Sequence, residues 1–388
     1  MPTLTWLDSF EHQSPSITTY AGLGIYDGIG NVPQITFVPG RRAGSFAMQL
    51  AQDGVTTTRI RKNIAAGNRV LVDSFYFKAS ARPATDSPIY IATATINGSI
   101  QVSAANGNLV YTAGSGVAAT VTGDWCDGRW HRFDIKFVTS GSTYTFDLYV
   151  DGVSQTQHVS NATTAADITI VTLGSNGTGA NLTFQLADHV RSVTSGDFPI
   201  GPHRCLALFP NADGTHNWAS TNMGPAAGGV ASSVTTLWQS VDEVPPSDTD
   251  YIQYANTTAT NTEYAEITLA DDPVNATVWA ARAIAAIRSA NTPANSATTR
   301  IVDGSGTTTL NLYVGDQSDT SLRYVAALVP SITTNTLLNA LKFRVGFPTD
   351  SSPAPWWAAL MIDYAVPESI APPMESRGRR NSMRRTRV

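Results

Sequence analysis

The stretch Trp130–Val138, with the sequence WHRFDIKFV, decides the fold class because apolar and charged side chains alternate along it. The side chains on one face of the extended chain are His131, Phe133, Ile135 and Phe137, and those on the other face are Arg132, Asp134 and Lys136. Alternation with a period of two predicts a strand that is buried on one side. Tyr144–Val150 repeats the pattern and continues into Asp151-Gly152, a dipeptide typical of tight turns. We therefore predict two half-buried strands here, the second followed by a tight turn.

The same pattern extends along the rest of the chain. It predicts strands at Arg69–Lys78, Leu182–Leu186, Ala265–Leu269, Thr308–Val314, Leu341–Phe347 and Trp356–Tyr364, and turns at Asn97-Gly98, Asn106-Gly107 and Asp303-Gly304. The alanine-rich segment Thr277–Arg288 fits a helix or a strand, and its flanking prolines favour a long strand. We predict one helix, a short turn around Thr336–Ala340. Many short strands separated by such turns predict β-sandwiches.

The length and one interrupted segment indicate how the chain is divided. A chain of 388 residues exceeds the usual size of one domain, so we expect two. Ser195–His203 contains two prolines and two glycines, which interrupt strands, and a new series of strands follows it. We therefore predict an all-β fold with two tandem jelly-roll-like β-sandwich domains, residues 1–198 and 199–367, and a basic tail, residues 368–388.

Charge is scarce and unevenly distributed. Charged residues make up 14% of the chain, against about 25% in an average globular protein. The net charge is −5, yet the tail carries six arginines: Arg377, Arg379, Arg380, Arg384, Arg385 and Arg387. The acidic remainder argues against nucleic acid as a partner of the folded part. For the tail we predict contact with an acidic groove of a neighbouring subunit, because arginine pairs carboxylates through two hydrogen bonds; a solvated end is the alternative, and nucleic acid ranks below both.

The sequence predicts neither a signal peptide nor a membrane span. Met1–Trp6 lacks the basic and apolar regions of a signal peptide. No apolar run approaches the roughly 20 residues of a membrane span, so we expect no membrane as a partner. Cys126 and Cys205 fall in different predicted domains, which does not support a disulfide framework. We expect assembly in a reducing cytoplasm.

Patterns that would indicate catalysis or metal binding are weak. A glycosidase needs two carboxylates about 5 to 9 Å apart, and the first predicted domain has one glutamate, Glu11, and no cluster of acids on a strand. The histidines are spread out: His12, His131, His158, His189, His203 and His216. Their densest group, His203 and His216 with Cys205, falls short of the four ligands of a zinc site. Asn211–Trp218 resembles an Asp-box turn, and a single copy predicts a structural turn. We therefore expect no catalytic residue, no metal and no cofactor.

Aromatic residues supply the candidates for ligand binding. Tryptophan fills sandwich cores as readily as it stacks on sugars. The tryptophans that lie in predicted strands, and that we therefore assign to cores, are Trp130, Trp279 and Trp357. Trp125 instead lies in a turn that also contains charged residues. The candidate ligand-binding loop is therefore Asp124, Trp125, Asp127 and Arg129.

Several stretches resemble known families. Gly123–His131, followed by Phe133–Phe137 and Tyr149–Gly152, resembles the laminin-G and concanavalin-like sandwich family. Leu7–His12 and Arg59–Ile64 resemble the same domain in virion proteins of actinobacterial phages. The second half resembles a module of phage minor tail proteins at Phe209–His216, Leu237-Trp238, Val241–Pro246, Asp250–Ile252 and Leu338–Leu341.

The resemblance implies a role as well as a fold. It implies a non-enzymatic structural protein of a bacteriophage virion, a minor tail or tail-tip component that contributes to adhesion to host-surface glycans. A capsid decoration or fibre protein is the alternative, and a polysaccharide-degrading enzyme ranks third. The expected partners are other virion proteins, further copies of the chain and a host glycan. The expected location is the tail or particle surface, after assembly in the host cytoplasm.

Overall fold

The computed structural model describes most of the chain. The described residues are 1–10, 26–30, 32–94, 97–114, 118–161, 166–217, 223–225, 237–241, 251–254, 264–272, 277–289, 295–317, 323–346 and 355–368. His12 and the six arginines of the predicted tail lie outside these residues, so the predicted subunit contact of the tail stays a prediction.

Strands dominate the described residues. In chain order they are β1 (Leu4–Asp8), β2 (Gly28–Gly30), β3 (Ile35–Pro39), β4 (Phe46–Ala51), β5 (Arg59–Asn63), β6 (Val70–Ala79), β7 (Ser87–Thr93), β8 (Gly98–Val102), β9 (Leu109–Ala113), β10 (Ala119–Val121), β11 (His131–Ser140), β12 (Thr143–Val150), β13 (Val153–Ser154), β14 (His158–Asn161), β15 (Ile170–Gly174), β16 (Thr183–Ser192), β17 (His203–Leu208), β18 (Pro210–His216), β19 (Met223–Pro225), β20 (Ile252–Tyr254), β21 (Tyr264–Leu269), β22 (Ala280–Ser289), β23 (Asn295–Val302), β24 (Thr308–Gln317), β25 (Arg323–Val329), β26 (Lys342–Gly346) and β27 (Pro355–Pro367). Short 3-10 helices lie at Val32–Gln34, Ser195–Asp197 and Leu237–Ser240. One α-helix, α1 (Asn335–Asn339), begins after Thr334, whose side chain accepts a hydrogen bond from the Leu337 amide. The all-β prediction is confirmed, and the short helix forms one residue before its predicted position.

Two antiparallel sheets build the first sandwich. Sheet A has the order β13-β12-β11-β6-β16-β4-β3, with β14 beside β12 and β1 beside β16. Sheet B has the order β10-β9-β8-β7-β15-β5-β2. The alternating residues of β6, β11, β12 and β16 place aromatic rings between the sheets: Phe75, Phe77, Phe133, Phe137, Phe146 and Phe184. Tyr90 and Tyr111 enter from sheet B. Burial of these rings is the main stabilisation of this half.

The sequence rules for turns hold at Asp151-Gly152 and fail at Gly98. Asp151 and Gly152 have φ values of +52° and +84°, the backbone of a tight hairpin turn between β12 and β13. The predicted turn at Asn97-Gly98 is wrong for Gly98, which is the first residue of β8. A Cβ atom there would lie 2.8 Å from ring atoms of both Phe137 and Phe146. Glycine at this position lets the two sheets approach, so its meaning is packing and not a turn.

A second pair of sheets contains the remaining strands. Sheet C has the order β19-β20-β27-β22-β25, with β17 beside β27, and sheet D has the order β18-β21-β26-β23-β24. Trp357 on β27 is fully buried, and its Nε1 donates to Thr299 Oγ1 on β23 at 2.9 Å, which joins the two sheets. The alanine-rich segment predicted as a strand is β22, paired with β25 and β27. Sheets A and B draw on residues 4–192 and sheets C and D on residues 203–367, while the division at residue 198 stays a prediction.

Buried charges join the two pairs of sheets. Asp188 lies in a β-bulge of β16 with φ +50°, a conformation that aspartate tolerates better than most residues. Nη1 and Nη2 of Arg42 each donate to the Asp188 carboxylate at 2.7 Å, and Arg41 Nε donates to the same carboxylate. The Cys205 amide on β17 donates to Asp188 Oδ1 at 2.8 Å. One carboxylate therefore holds β16, the β3–β4 loop and β17 together.

A second buried contact connects the first and last strands described. Ser9 follows β1, and its Oγ donates to Asp363 Oδ1 on β27 at 2.7 Å. Arg282 on β22 donates to the other oxygen of the same carboxylate at 2.7 Å. Apolar residues pack around this contact from both halves, among them Leu4, Leu7, Val190, Ile200 and Ala365.

Candidate functional site: a cleft on the outer face of sheet A

Polar side chains form a row across the outer face of sheet A. The strand register places Gln185 beside both Gln49 and Lys78, and Gln49 beside Thr36. Gln185 Nε2 lies 3.3 Å from Gln49 Oε1, and Gln49 Nε2 lies 3.5 Å from Thr36 Oγ1. The residues that alternate with the row point into the core, among them Met48, Leu50, Phe77, Phe184 and Leu186. The period-two pattern of these strands therefore fixes the row on the outside.

A cleft of about 210 Å³ opens beside this row. The side chains that define this outer-face cleft are Gln49, Lys78, Ser80, Arg82, Asn181 and Gln185. Asn181 Oδ1 accepts hydrogen bonds from the amides of Ala84 and Thr85 and so holds the loop after β6 in place. At about 210 Å³ the cleft is smaller than the roughly 300–1,000 Å³ of usual ligand pockets, so only part of a ligand fits inside it.

Trp130 lies next to the outer-face cleft. Its ring is 5.6 Å from Lys78 Nζ, within the range of a cation–π contact. The ring also packs against Ala47, Tyr76 and Ala187 on the outer face of the sheet. The prediction that Trp130 belongs to the sandwich core is therefore wrong: its side chain is half-buried on the outer face of sheet A, beside Lys78 of the polar row.

The loop that contains the four predicted ligand-binding residues does not line the cleft but lies beside it and contacts two of its residues. The Gly128 amide donates to the Ala79 carbonyl at 2.9 Å, and the Trp125 amide donates to the Gly107 carbonyl at 3.2 Å. Asp124 accepts from Arg82 Nε at 3.0 Å and Nη2 at 2.7 Å. These hydrogen bonds hold the pKa of the Asp124 carboxyl below its usual range. Asp124 therefore positions a cleft residue and is held away from a ligand.

Trp125 is not the exposed platform that the sequence prediction allowed. It is half-buried against the core, and its Nε1 donates to the Val121 carbonyl at 3.3 Å. Its ring meets His131 edge-on at 4.9 Å. Arg129 is the most exposed of the four, with 83% of its side chain accessible. The four predicted residues thus support the neighbouring cleft from outside, and the groups that line the cleft come from β4, β6, β16 and the segments that flank them.

His131 lies between two carboxylates at the end of this loop. Its Nδ1 is 2.8 Å from Asp151 Oδ2, and its Nε2 is 3.1 Å from Asp127 Oδ1. Hydrogen bonding to Asp151 raises the pKa of His131, burial opposes this, and Asp127 adds to it. Burial acts to raise the pKa of Asp127, but hydrogen bonds from the Arg129 amide and His131 hold that pKa below its usual range. The group is therefore a charged triad that fixes the loop to the β12–β13 turn.

We expect His131 to titrate above the ordinary histidine pKa of about 6.5. Because its folded-state pKa is raised, its stabilising contribution is fully present below the unfolded-state value and is lost as the pH rises through the folded-state value. Asp151→Asn keeps the positive φ accessible and should lower the pKa of His131. Side-chain NMR titration of both forms measures this, and a wild-type pKa at or below 6.5 would contradict the prediction.

The other motifs from the sequence serve structural roles. His203 and Cys205 lie on β17, and His216 lies on β18; no group of three or more metal-binding side chains occurs in the described ranges. Cys126 and Cys205 are buried free thiols. The predicted turn at Asn211–Trp218 is wrong, because Pro210–His216 is strand β18. Asp213 accepts from the amides of Leu237 and Trp238 and so anchors a 3-10 helix. Trp218 lies outside the described residues.

Of the tryptophans assigned to cores, Trp357 is fully buried, and Trp279 is partly buried where the two halves meet.

No helix in the ranges that the structure describes is long and apolar enough to cross a membrane.

The sequence prediction missed the groups that face the outer-face cleft. Gln49, Lys78 and Gln185 occupy outward positions of strands, where polar residues are ordinary. Gln185 stands between Phe184 and Leu186, so its direction was readable from the sequence. Its neighbours were not, because they depend on which strands pair.

Comparison with known proteins gives low similarities. The sequence matches no protein-family model and no curated protein. Among solved structures, a Trypanosoma rangeli sialidase is 15% identical, with a TM-score of 0.33, over 42% of this chain and 27% of that one. Domain 4 of the arabinanase AbnA from Geobacillus stearothermophilus, in complex with arabinotriose, is 18% identical, with a TM-score of 0.34, over 49% and 92%.

A carbohydrate esterase of Shiga toxin-encoding bacteriophage phi24B is 15% identical, with a TM-score of 0.34, over 49% of this chain and 100% of that one. This chain spans about a quarter of the length of the Trypanosoma rangeli sialidase. These similarities are too low to assign a ligand or an activity.

Proposed function

We propose that the chain is a non-enzymatic structural protein of a bacteriophage virion, a minor tail or tail-tip component, that contacts host-surface glycans through the outer-face cleft. The observation that carries the glycan part is the row of Gln49, Gln185 and Lys78 beside Trp130. Amide groups donate and accept hydrogen bonds at once, which matches the hydroxyl groups of a sugar. An aromatic side chain beside them offers an apolar surface to the sugar ring.

The virion part of the proposal rests on the sequence resemblance. The stretch Gly123–His131 that carries the resemblance is adjacent to the cleft, through the hydrogen bonds of Gly128 to Ala79 and of Arg82 to Asp124. Further copies of the chain on one particle would multiply a weak contact through avidity. A capsid decoration or fibre protein remains the second candidate. Antibody labelling of intact particles in electron microscopy separates the two, because tail and capsid label at different places.

A polysaccharide-degrading enzyme is less compatible with the charges near the cleft. A glycosidase needs a carboxylic acid whose pKa is raised, so that it can protonate the leaving group. The pKa values of Asp124 and Asp127 are lowered, and each carboxylate is paired with a cation. Release of reducing sugar from host cell-wall polysaccharide would contradict the proposal.

We expect Trp130→Ala and Gln185→Ala each to weaken glycan binding by about tenfold, because a few central groups dominate such contacts. The assay measures multimerised full-length protein on an array of host-surface glycans. Arg129→Ala is the matched control, because this exposed side chain belongs to the same loop and should leave binding unchanged. Thermal unfolding of each variant checks that the fold is intact. An array without signal for the multimerised wild type would remove the adhesive role.

A further inference from the structure

Among the residues that the structure describes, no carboxylate pairs with the Lys78 ammonium group. Two cations line the outer-face cleft, Lys78 and Arg82, and Arg82 is neutralised by Asp124 at 2.7 Å. Within the ranges that the structure describes, the contact made by Lys78 Nζ is with the ring of Trp130. The lining of the cleft includes no aspartate or glutamate. The cleft therefore carries a positive charge that an anionic ligand would neutralise.

Gln185 adds an acceptor beside this charge. Its Oε1 is buried and has no hydrogen-bond donor among the described residues, whereas its Nε2 is occupied by Gln49. A buried acceptor without a donor costs free energy. Because this oxygen is sealed from solvent, a ligand hydroxyl donates to it only after the Gln185 side chain turns towards the cleft, which would recover that cost. The strand register places Gln185 directly beside Lys78. The acceptor and the cation are thus neighbours on one face.

We propose that the outer-face cleft selects an acidic sugar, with a carboxylate or phosphate on Lys78 Nζ and a ring hydroxyl donating to Gln185 Oε1. This inference rests on the proposed glycan-binding function and gives it a ligand class. A neutral sugar leaves Lys78 unpaired, so the same cleft binds it more weakly.

The charge also predicts how binding depends on salt. Lys78 is partly exposed, so ions in solution screen its attraction for an anion. Binding of the acidic sugar weakens as the salt concentration rises, whereas binding of a neutral sugar changes little.

The test compares matched sugars on multimerised full-length protein by surface plasmon resonance. The panel holds oligosaccharides of galacturonic and glucuronic acid, the neutral methyl esters of the same oligosaccharides, and hexose phosphates with their unphosphorylated forms. The expected result is at least about tenfold tighter binding of an acidic form than of its neutral counterpart. The uronate and phosphate arms tell which anion the cleft prefers.

Variants of Lys78 show whether the preference arises in the cleft. Lys78→Gln should abolish the preference for the acidic form, and Lys78→Arg should restore it. Gln101→Ala, on β8 of the other sheet, should leave both the preference and the neutral binding unchanged. Equal binding of acidic and neutral forms by the wild type would overturn the inference while the proposed function stands. An equal loss of both by Lys78→Gln would also overturn it, since the residue would then act on the fold. Absence of binding across the whole panel would overturn both.

Discussion

Replacing Asp188 with alanine should lower the free energy of unfolding by about 3–5 kcal/mol, the usual cost of removing one partner from a buried ion pair. The carboxylate is 2% exposed, and the side chains of Arg41 and Arg42 are 11% and 21% exposed. Burial opposes ionisation of Asp188, but hydrogen bonds from Arg42 hold its pKa below the usual range. Without the Asp188 carboxylate, Arg42 loses its carboxylate partner, while Arg41 keeps the pair with Glu368 and the hydrogen bond to the His203 carbonyl.

Two variants separate charge from backbone in this experiment. Asp188→Asn keeps an acceptor for the Cys205 amide and tolerates the positive φ, so it should lose less stability than alanine. Asp271→Ala removes an exposed carboxylate and should change stability by less than about 0.5 kcal/mol. Denaturant unfolding at neutral pH measures all three. A loss of under about 1 kcal/mol for Asp188→Ala would mean that water replaces the missing carboxylate.

Trp357→Ala should lower the free energy of unfolding by about 3–5 kcal/mol, the usual loss for a buried aromatic residue. Trp357 is fully buried between sheets C and D, packed with residues such as Ile267, Phe343 and Ile362. Truncation removes the ring from this core and also the hydrogen bond to Thr299. The remaining side chains are held by the sheets and cannot close the space completely.

A smaller change at the same contact supplies the comparison. Thr299→Val keeps the shape of the acceptor side chain and removes its hydroxyl, so we expect a loss of about 1–3 kcal/mol. Chemical unfolding followed by tryptophan fluorescence measures both variants. If Trp357→Ala were no worse than Thr299→Val, the contribution of Trp357 would be the hydrogen bond and not its packing.

The strands could be predicted because the alternation of apolar and polar residues within each strand shows which face is buried. Trp130–Val138 and Tyr144–Val150 have the alternation of β11 and β12, and both strands form within a residue or two of the prediction. Gly98 shows the limit of local rules, because its role depends on two phenylalanine rings from sheet A. Asp213 shows the same limit, because the amides that it binds lie 24 and 25 residues away.

The candidate site was harder to predict for the same physical reason. Lys78 and Gln185 are more than a hundred positions apart in the sequence and become neighbours through the pairing of β6 with β16. The register depends on how two strands pair, so it cannot be read from the sequence of either strand alone. The loop of Asp124 and Trp125 could be identified because its residues are contiguous in the sequence, but it lies beside the cleft and does not line it.

The position of β27 has a consequence for biosynthesis. This strand, the last one described, pairs with β17, β20 and β22 and so occupies the middle of sheet C. A ribosome makes it after all its neighbours, so a nascent chain that ends before Pro355 exposes β22 and β17 without their shared partner. The hydrogen bond of Ser9 also forms late in synthesis, because its partner Asp363 is made some 350 residues after Ser9. Translation must therefore pass β27 before the second half can close, and premature termination yields a first sandwich with an open flank.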